Sequence, residues 1–230
     1  MFRPEHIIYE DNHLLVVNKL SGDLVQPSTD GESALEDQIK DFIKVRDNKP
    51  GAVFLGVVHR IDRPVSGVVL FAKSSKALVR MNEQIRDRKV DKRYWAVVER
   101  APEQLKGELV HHISRNTKQN KSHASLRASG VSKEARLRYE VLCESSNYTL
   151  VEVELLTGRH HQIRAQLSAI GSPIKGDVKY GARRSNANGG ISLHSRRMEF
   201  VHPVTKEMFR VEAPVPAEDS LWSYFEEQMG

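Results

Sequence analysis

Only one cysteine, Cys143, occurs in the 230 residues. No disulfide can form within the chain, and a reducing cytoplasm is the expected setting. CxxC is missing, which excludes a zinc site built on cysteines. No apolar run approaches the ~18 residues that span a bilayer, so no membrane partner is expected. The opening MFRPEHIIYEDNH carries acids and no long apolar core, unlike a signal peptide. HExxH and GxSxG are absent as well, leaving zincin and serine-hydrolase chemistry without an anchor. Ten histidines include the doublets His111-His112 and His160-His161. Neighbouring side chains point to opposite faces of a strand or diverge by about 100° on a helix, so neither doublet is expected to hold a metal.

Basic residues are missing from 212–230, which hold five acids, and residues 1–50 carry 6 Lys/Arg against 10 Asp/Glu. The stretch 51–211 therefore concentrates 29 Lys/Arg against 15 Asp/Glu. A surplus so localised suits a polyanion partner, nucleic acid first, although a merely soluble basic surface fits the same numbers.

Neither repeats nor low-complexity tracts interrupt the chain. LLVVNK (14–19) reads as a buried strand, VFLGVV (53–58) and GVVLFAK (67–73) as two more. Further strands are expected at 93–99, 107–113, 134–143 and 148–156, with a final pair at 193–201 and 207–212. Helices are expected at 33–45, where Ser33 and Glu36 form a capping box, and at 74–90, with Leu78, Met81 and Ile85 as the apolar stripe. Two more fall at 161–171, closed by Gly171, and at 217–229. The polar stretch 114–133 reads as a long loop, either an RNA contact or disordered, and 181–190 as a second loop. Without regular βαβα alternation a doubly wound sheet is not expected. The fold class is α/β in the α+β sense: a mixed, mainly antiparallel sheet with flanking helices.

HRIDRPVSGVVLFAK (59–73) places Asp62 between Arg60 and Arg63, on a connection between strands. Taken alone it fits a surface ion pair, worth roughly 0–1 kcal/mol. It also fits a catalytic carboxylate. The kinase-like HRD fails for want of GxGxxG and DFG, and a glycosidase needs a second acid. One carboxylate suffices to isomerise a glycosidic bond, because no water has to be activated. That role requires an ionised Asp62, which an adjacent guanidinium favours.

The same segment resembles the catalytic motif of the RluA family of pseudouridine synthases, and other stretches follow in family order. NKLSG (18–22) is similar to NKPxG, KRYWAVV (92–98) to the K-x-Y segment, and LLTGRHHQIRAQLSAIGSPIKGDVKYG (155–181) to TGR-x-HQIR with GxPIxGDxxYG. LHSRRMEFVHPVT (193–205) is similar to the L-H-x-x-x-x-F-x-HP ending. Leu20 and Gln26 depart from the usual Pro and His.

The resemblance implies a single bilobed catalytic domain over 1–230 with a curved sheet, a central basic cleft and no separate S4 domain. It implies an isomerase that converts specific uridines of structured rRNA or tRNA to pseudouridine, without cofactor or metal. Asp62 would be the catalytic carboxylate on a flipped-out uridine, Arg164 its ion-pair partner, and Tyr94 the ring against the base. Arg60, Arg63, Arg159 and His161 would contact RNA. Each has a plainer alternative: Tyr94 as a strand aromatic, Arg164 as an exposed helix residue. A noncatalytic RNA-binding protein and a glycosylase releasing uracil are the rival functions. A monomer is expected.

Overall fold

The computed structural model describes residues 2–27 and 31–229. In chain order the first elements are β1 (Ile7–Glu10), β2 (Leu14–Lys19), α1 (Leu35–Arg46), β3 (Gly56–Val57), β4 (Ser66–Ala72) and α2 (Ser75–Arg86). Then come β5 (Asp91–Val98), β6 (Lys106–Asn116), β7 (Lys121–Ser125), β8 (Lys133–Glu144), β9 (Thr149–Leu155) and α3 (Gln162–Ala169). The chain closes with β10 (Leu193–Val201), β11 (Met208–Glu212) and α4 (Ser220–Met229). These residues form a mixed, mainly antiparallel sheet with four α-helices among the described residues. Two compact units result: Met1–Val90 with Ser195–Pro214, and Asp91–His194 with Val215–Gly230.

The first unit carries the strand order β1-β2-β4-β10, with β11 on β10 and β3 on β4. Every residue of β4 is buried, which explains its unbroken apolar sequence. Leu14, Val16, Val68, Leu70, Met81 and Phe200 lie in one core cluster, with Leu78 and Ile85 of α2 packed on it. Ser74 caps α2 by accepting the Ala77 N–H, the usual work of a serine at that place.

Three expectations are corrected. The capping box at Ser33 does not form: α1 starts after Ala34, which makes no side-chain cap bond. Its first amides donate instead to backbone carbonyls, Leu35 N to Leu24 O and Glu36 N to Val25 O. The Glu36 carboxylate is taken by Lys40, 2.5 Å away. The strand expected over 53–58 shrinks to Gly56–Val57, since Phe54 lies 48% exposed outside the sheet.

The third concerns 114–133, in the second unit. It is no structureless loop: β6 runs on to Asn116 and β7 returns antiparallel, pairing His123 with Ser114. The order of this unit is β5-β9-β8-β6-β7. One sheet face supports α3, whose Gln166 donates to Leu109 O and Ala135 O. The other packs Trp95, Val97 and Leu150 on Trp222 and Phe225 of α4. No helix among the described residues is long and apolar enough to cross a membrane.

Gly67, second in β4, has φ +110°, and a Cβ there would fall inside the backbone of Ser195, 2.7 Å from its nitrogen. Both the dihedral and the approach demand glycine. Gly67→Ala is expected to cost about 3 kcal/mol, read as a lowered urea midpoint.

Candidate functional site

The Asp62 loop is held from below by a buried cation. β2 ends at Lys19, only 1% exposed. Its ammonium donates to Leu20 O and Asp23 O at 2.8 Å and to Arg63 O at 3.1 Å. One Nζ therefore ties the 20–23 turn to the motif loop. Three further bonds close the same seam: Gly22 N to Arg63 O, Arg63 Nε to Gly22 O, and Ser21 Oγ to Pro64 O. The Val65 N–H donates to Asp62 O, folding 62–65 into a tight turn. Burial pushes the Lys19 amine down to about 8, against the upward pull of the Asp23 and Asp62 carboxylates, and Arg63 lowers it further.

Asp62 is half-buried, whereas Arg60 and Arg63 are exposed. Arg63 Nη1 pairs with Glu32 at 2.9 Å, so its guanidinium holds that carboxylate as well as Gly22 O. The sequence reading did not assign Lys19 a role. Its signal was a lysine closing an otherwise apolar strand run.

In the second unit, Tyr94 is 6% exposed and sits opposite Val153 in the β5–β9 ladder. Arg164 is not an exposed helix residue: it is 5% exposed. Its guanidinium grips Asp177 in two places, Nε to Oδ2 at 2.7 Å and Nη2 to Oδ1 at 3.0 Å. It also lies over the Tyr180 ring at 4.9 Å. A guanidinium has five N–H donors, so this grip fixes its orientation without exhausting its capacity. Arg159 donates Nε to Glu134 O, and its amide is capped by Gln162 Oε1.

His161 is buried and starts α3 from a left-handed backbone, φ 52°. Its Nδ1 meets the Tyr180 hydroxyl at 2.9 Å. That hydroxyl also accepts the Ser122 N–H at 2.8 Å, so one oxygen serves both the hairpin and the imidazole. Burial, aided by Arg164, His160 and Lys179, pushes the imidazole down to about 2. His160 stacks on it at 3.7 Å and meets Ser122 Oγ at 2.8 Å. The β6–β7 hairpin is thus docked on α3 through Tyr180 and two imidazoles. Among the described residues no group of three or more His, Cys, Asp or Glu is placed to hold a metal ion.

His161 stays neutral in the folded protein, while in the unfolded chain it protonates below its ordinary 6.5. Its contribution is therefore constant above that value and destabilises increasingly as pH falls, by at most about 1.4 kcal/mol per unit. His161→Asn, which tolerates the left-handed backbone, is expected to show a shallower loss of unfolding free energy from about pH 6.5 to about pH 4. Urea titrations of both proteins across that range check it.

The RNA pseudouridylate synthase family model matches residues 13–169. The ribosomal large subunit pseudouridine synthase C of Vibrio cholerae serotype O1 is 34% identical over 227 residues, covering 93% of this chain and 67% of its own. Its Escherichia coli (strain K12) namesake is 35% identical, covering 91% and 66%. The uncharacterized RNA pseudouridine synthase YhcT of Bacillus subtilis (strain 168) is 33% identical, covering 92% and 69%. The chain spans about two thirds of the length of these relatives. The solved structure of human RNA pseudouridylate synthase domain containing 4 shares the fold, with a TM-score of 0.81 over 98% of this chain and 93% of its own, at 23% identity. The chain belongs to the RNA pseudouridine synthase family, of the RluA type, a family of isomerases.

Proposed function

We propose that this protein isomerises uridines in structured RNA, with Asp62 as the catalytic carboxylate. The observation that carries the proposal is the seam under Asp62: a 1% exposed ammonium, bonded to three carbonyls, fixes the loop and lends it positive charge. A carboxylate that must act on ribose has to be held in place, and this seam immobilises the loop that carries it. The isomerisation detaches uracil through N1 and rejoins it through C5, and the hydrogen on C5 leaves as a proton. N1 takes up a proton in place of its bond to ribose, so the proton count balances and neither water nor a redox partner is consumed. Arg164 is assigned to the catalytic set, its plane preset by Asp177. Tyr94 is assigned to the everted base, whose extrusion from a stem costs a few kcal/mol. Arg60, Arg63 and Arg159 are assigned to phosphate contacts. His161, buried against Tyr180, is assigned to hold the start of α3.

Ribosomal RNA is the first substrate to test, because the named relatives act on the large ribosomal subunit. A purely RNA-binding role leaves a carboxylate in a basic setting without purpose.

Asp62→Asn is expected to retain RNA affinity and to lower pseudouridine formation at least about a thousandfold, read by chemical mapping of pseudouridine. A variant of near-native rate removes Asp62 from the chemistry. Arg164→Ala confounds this logic, since it strands the buried Asp177 carboxylate at a cost of about 3–5 kcal/mol. Arg164→Lys keeps the charge but loses the two-point grip. It is expected to remain folded by thermal melt while losing most of its turnover.

A further inference from the structure

We propose that Lys92 binds a backbone phosphate of the RNA, the one belonging to the nucleotide received at Tyr94. The inference rests on the proposed function and adds a recognition residue to it.

Strand pleating separates the charges of the second unit. Successive residues of β5 point to opposite faces, so Lys92 shares a face with Tyr94, and Arg93 shares the other with Trp95. The β5–β9 and β8–β9 registers set Arg93 opposite Glu154, Trp95 opposite Glu152, and Arg138 opposite Glu154. The arginines of that face are all matched. Arg93 reaches Asp91 at 3.0 Å, Glu154 at 3.4 Å and Glu152 at 3.7 Å. Arg138 reaches Glu108 at 3.2 Å and Glu154 at 3.6 Å, and Arg136 also holds Glu108.

Lys92 stands on the reverse side from these carboxylates. Among the described residues it makes no hydrogen bond and no ion pair. Burial alone acts on it, lowering its amine below the ordinary lysine range with no acid to offset the cost. A cation kept partly desolvated without a counterion is costly, and a bound anion removes that cost.

The ammonium also has an opening. It lies over Gly158 in the Thr157–Arg159 loop, where an added Cβ would come 4.0 Å from Nζ. Gly158 is exposed, so an incoming polyanion meets bare backbone there. Arg159, next in the chain, supplies a second cation with its Nε already anchored on Glu134 O. An ammonium is a point charge with three donors, suited to a phosphate oxygen. The plainer alternative is a lysine that packs its alkyl stem and leaves its head in water; such a lysine releases no counterion when RNA binds.

The test uses the full chain and a short labelled single-stranded oligouridylate, with affinity measured against potassium chloride concentration. Lys92→Met is expected to weaken binding about tenfold at low salt and to reduce the magnitude of the log–log salt slope by about 0.7, one phosphate contact on a single strand. Lys92→Arg is expected to keep the native slope. Should Lys92→Met fail to fold, Lys92→Gln replaces it, with the same slope deciding. A wild type that binds and forms pseudouridine, beside a folded variant of unchanged slope, overturns the assignment of Lys92 alone. A wild type that binds neither the oligouridylate nor ribosomal RNA and forms no pseudouridine in ribosomal RNA overturns the proposed function together with it.

Discussion

A single buried ammonium sets the first unit's geometry. The 20–23 turn and the 59–65 loop have no ladder of their own to hold them, yet both must be still around Asp62. Lys19 supplies the missing order by drawing carbonyls from both segments onto one nitrogen. Its place is fixed in turn by β2, whose strand pairs residue for residue with β4 up to Lys19 opposite Gly67. Left without that cation, Leu20 O and Asp23 O would need other donors, and Arg63 O would keep only the Gly22 N–H. The strand thus extends its own precision, through a charge, into a loop that cannot generate any.

The second unit buries charge by a different device. There the guanidinium of Arg164 is matched by Asp177 and laid on an aromatic face. A planar fork against a planar carboxylate leaves little rotational freedom. Lys19 uses neutral dipoles as its counterweight and so retains its charge for a neighbour. Arg164 uses a carboxylate and gains orientation instead. The opposite sheet face shows a third regime, with partly exposed arginines and acids in register whose pairs contribute little to stability.

Much of this was legible in the amino-acid order. β2, β4 and the Ser74-capped α2 follow from apolar runs and one capping serine, because their environments are what such patterns describe. The motif resemblance named the family before any coordinate was known. Three features were not legible, each for a physical reason. KSHAS (121–125) has no apolar alternation, and its strand exists because a neighbouring strand offers a ladder and Tyr180 accepts one amide. Ser33 and Glu36 match a capping pattern, but Lys40 captures the glutamate and backbone carbonyls serve the helix start. The burial of Arg164 depends on Asp177, thirteen residues away, and no local pattern announces a partner at that distance.

The phenol of Tyr180 is a one-atom junction. Ser122 of the hairpin and His161 of α3 meet on the same oxygen. Swinging the hairpin outward therefore means unhooking an amide from the oxygen that also holds the buried imidazole. Hairpin movement and the placement of that ring are geared to each other, and by reciprocity each resists the other. The turn at 117–120 is drawn into the same linkage, because Asn120 Oδ1 meets His160 Nε2 at 3.1 Å, one residue before the shared imidazole.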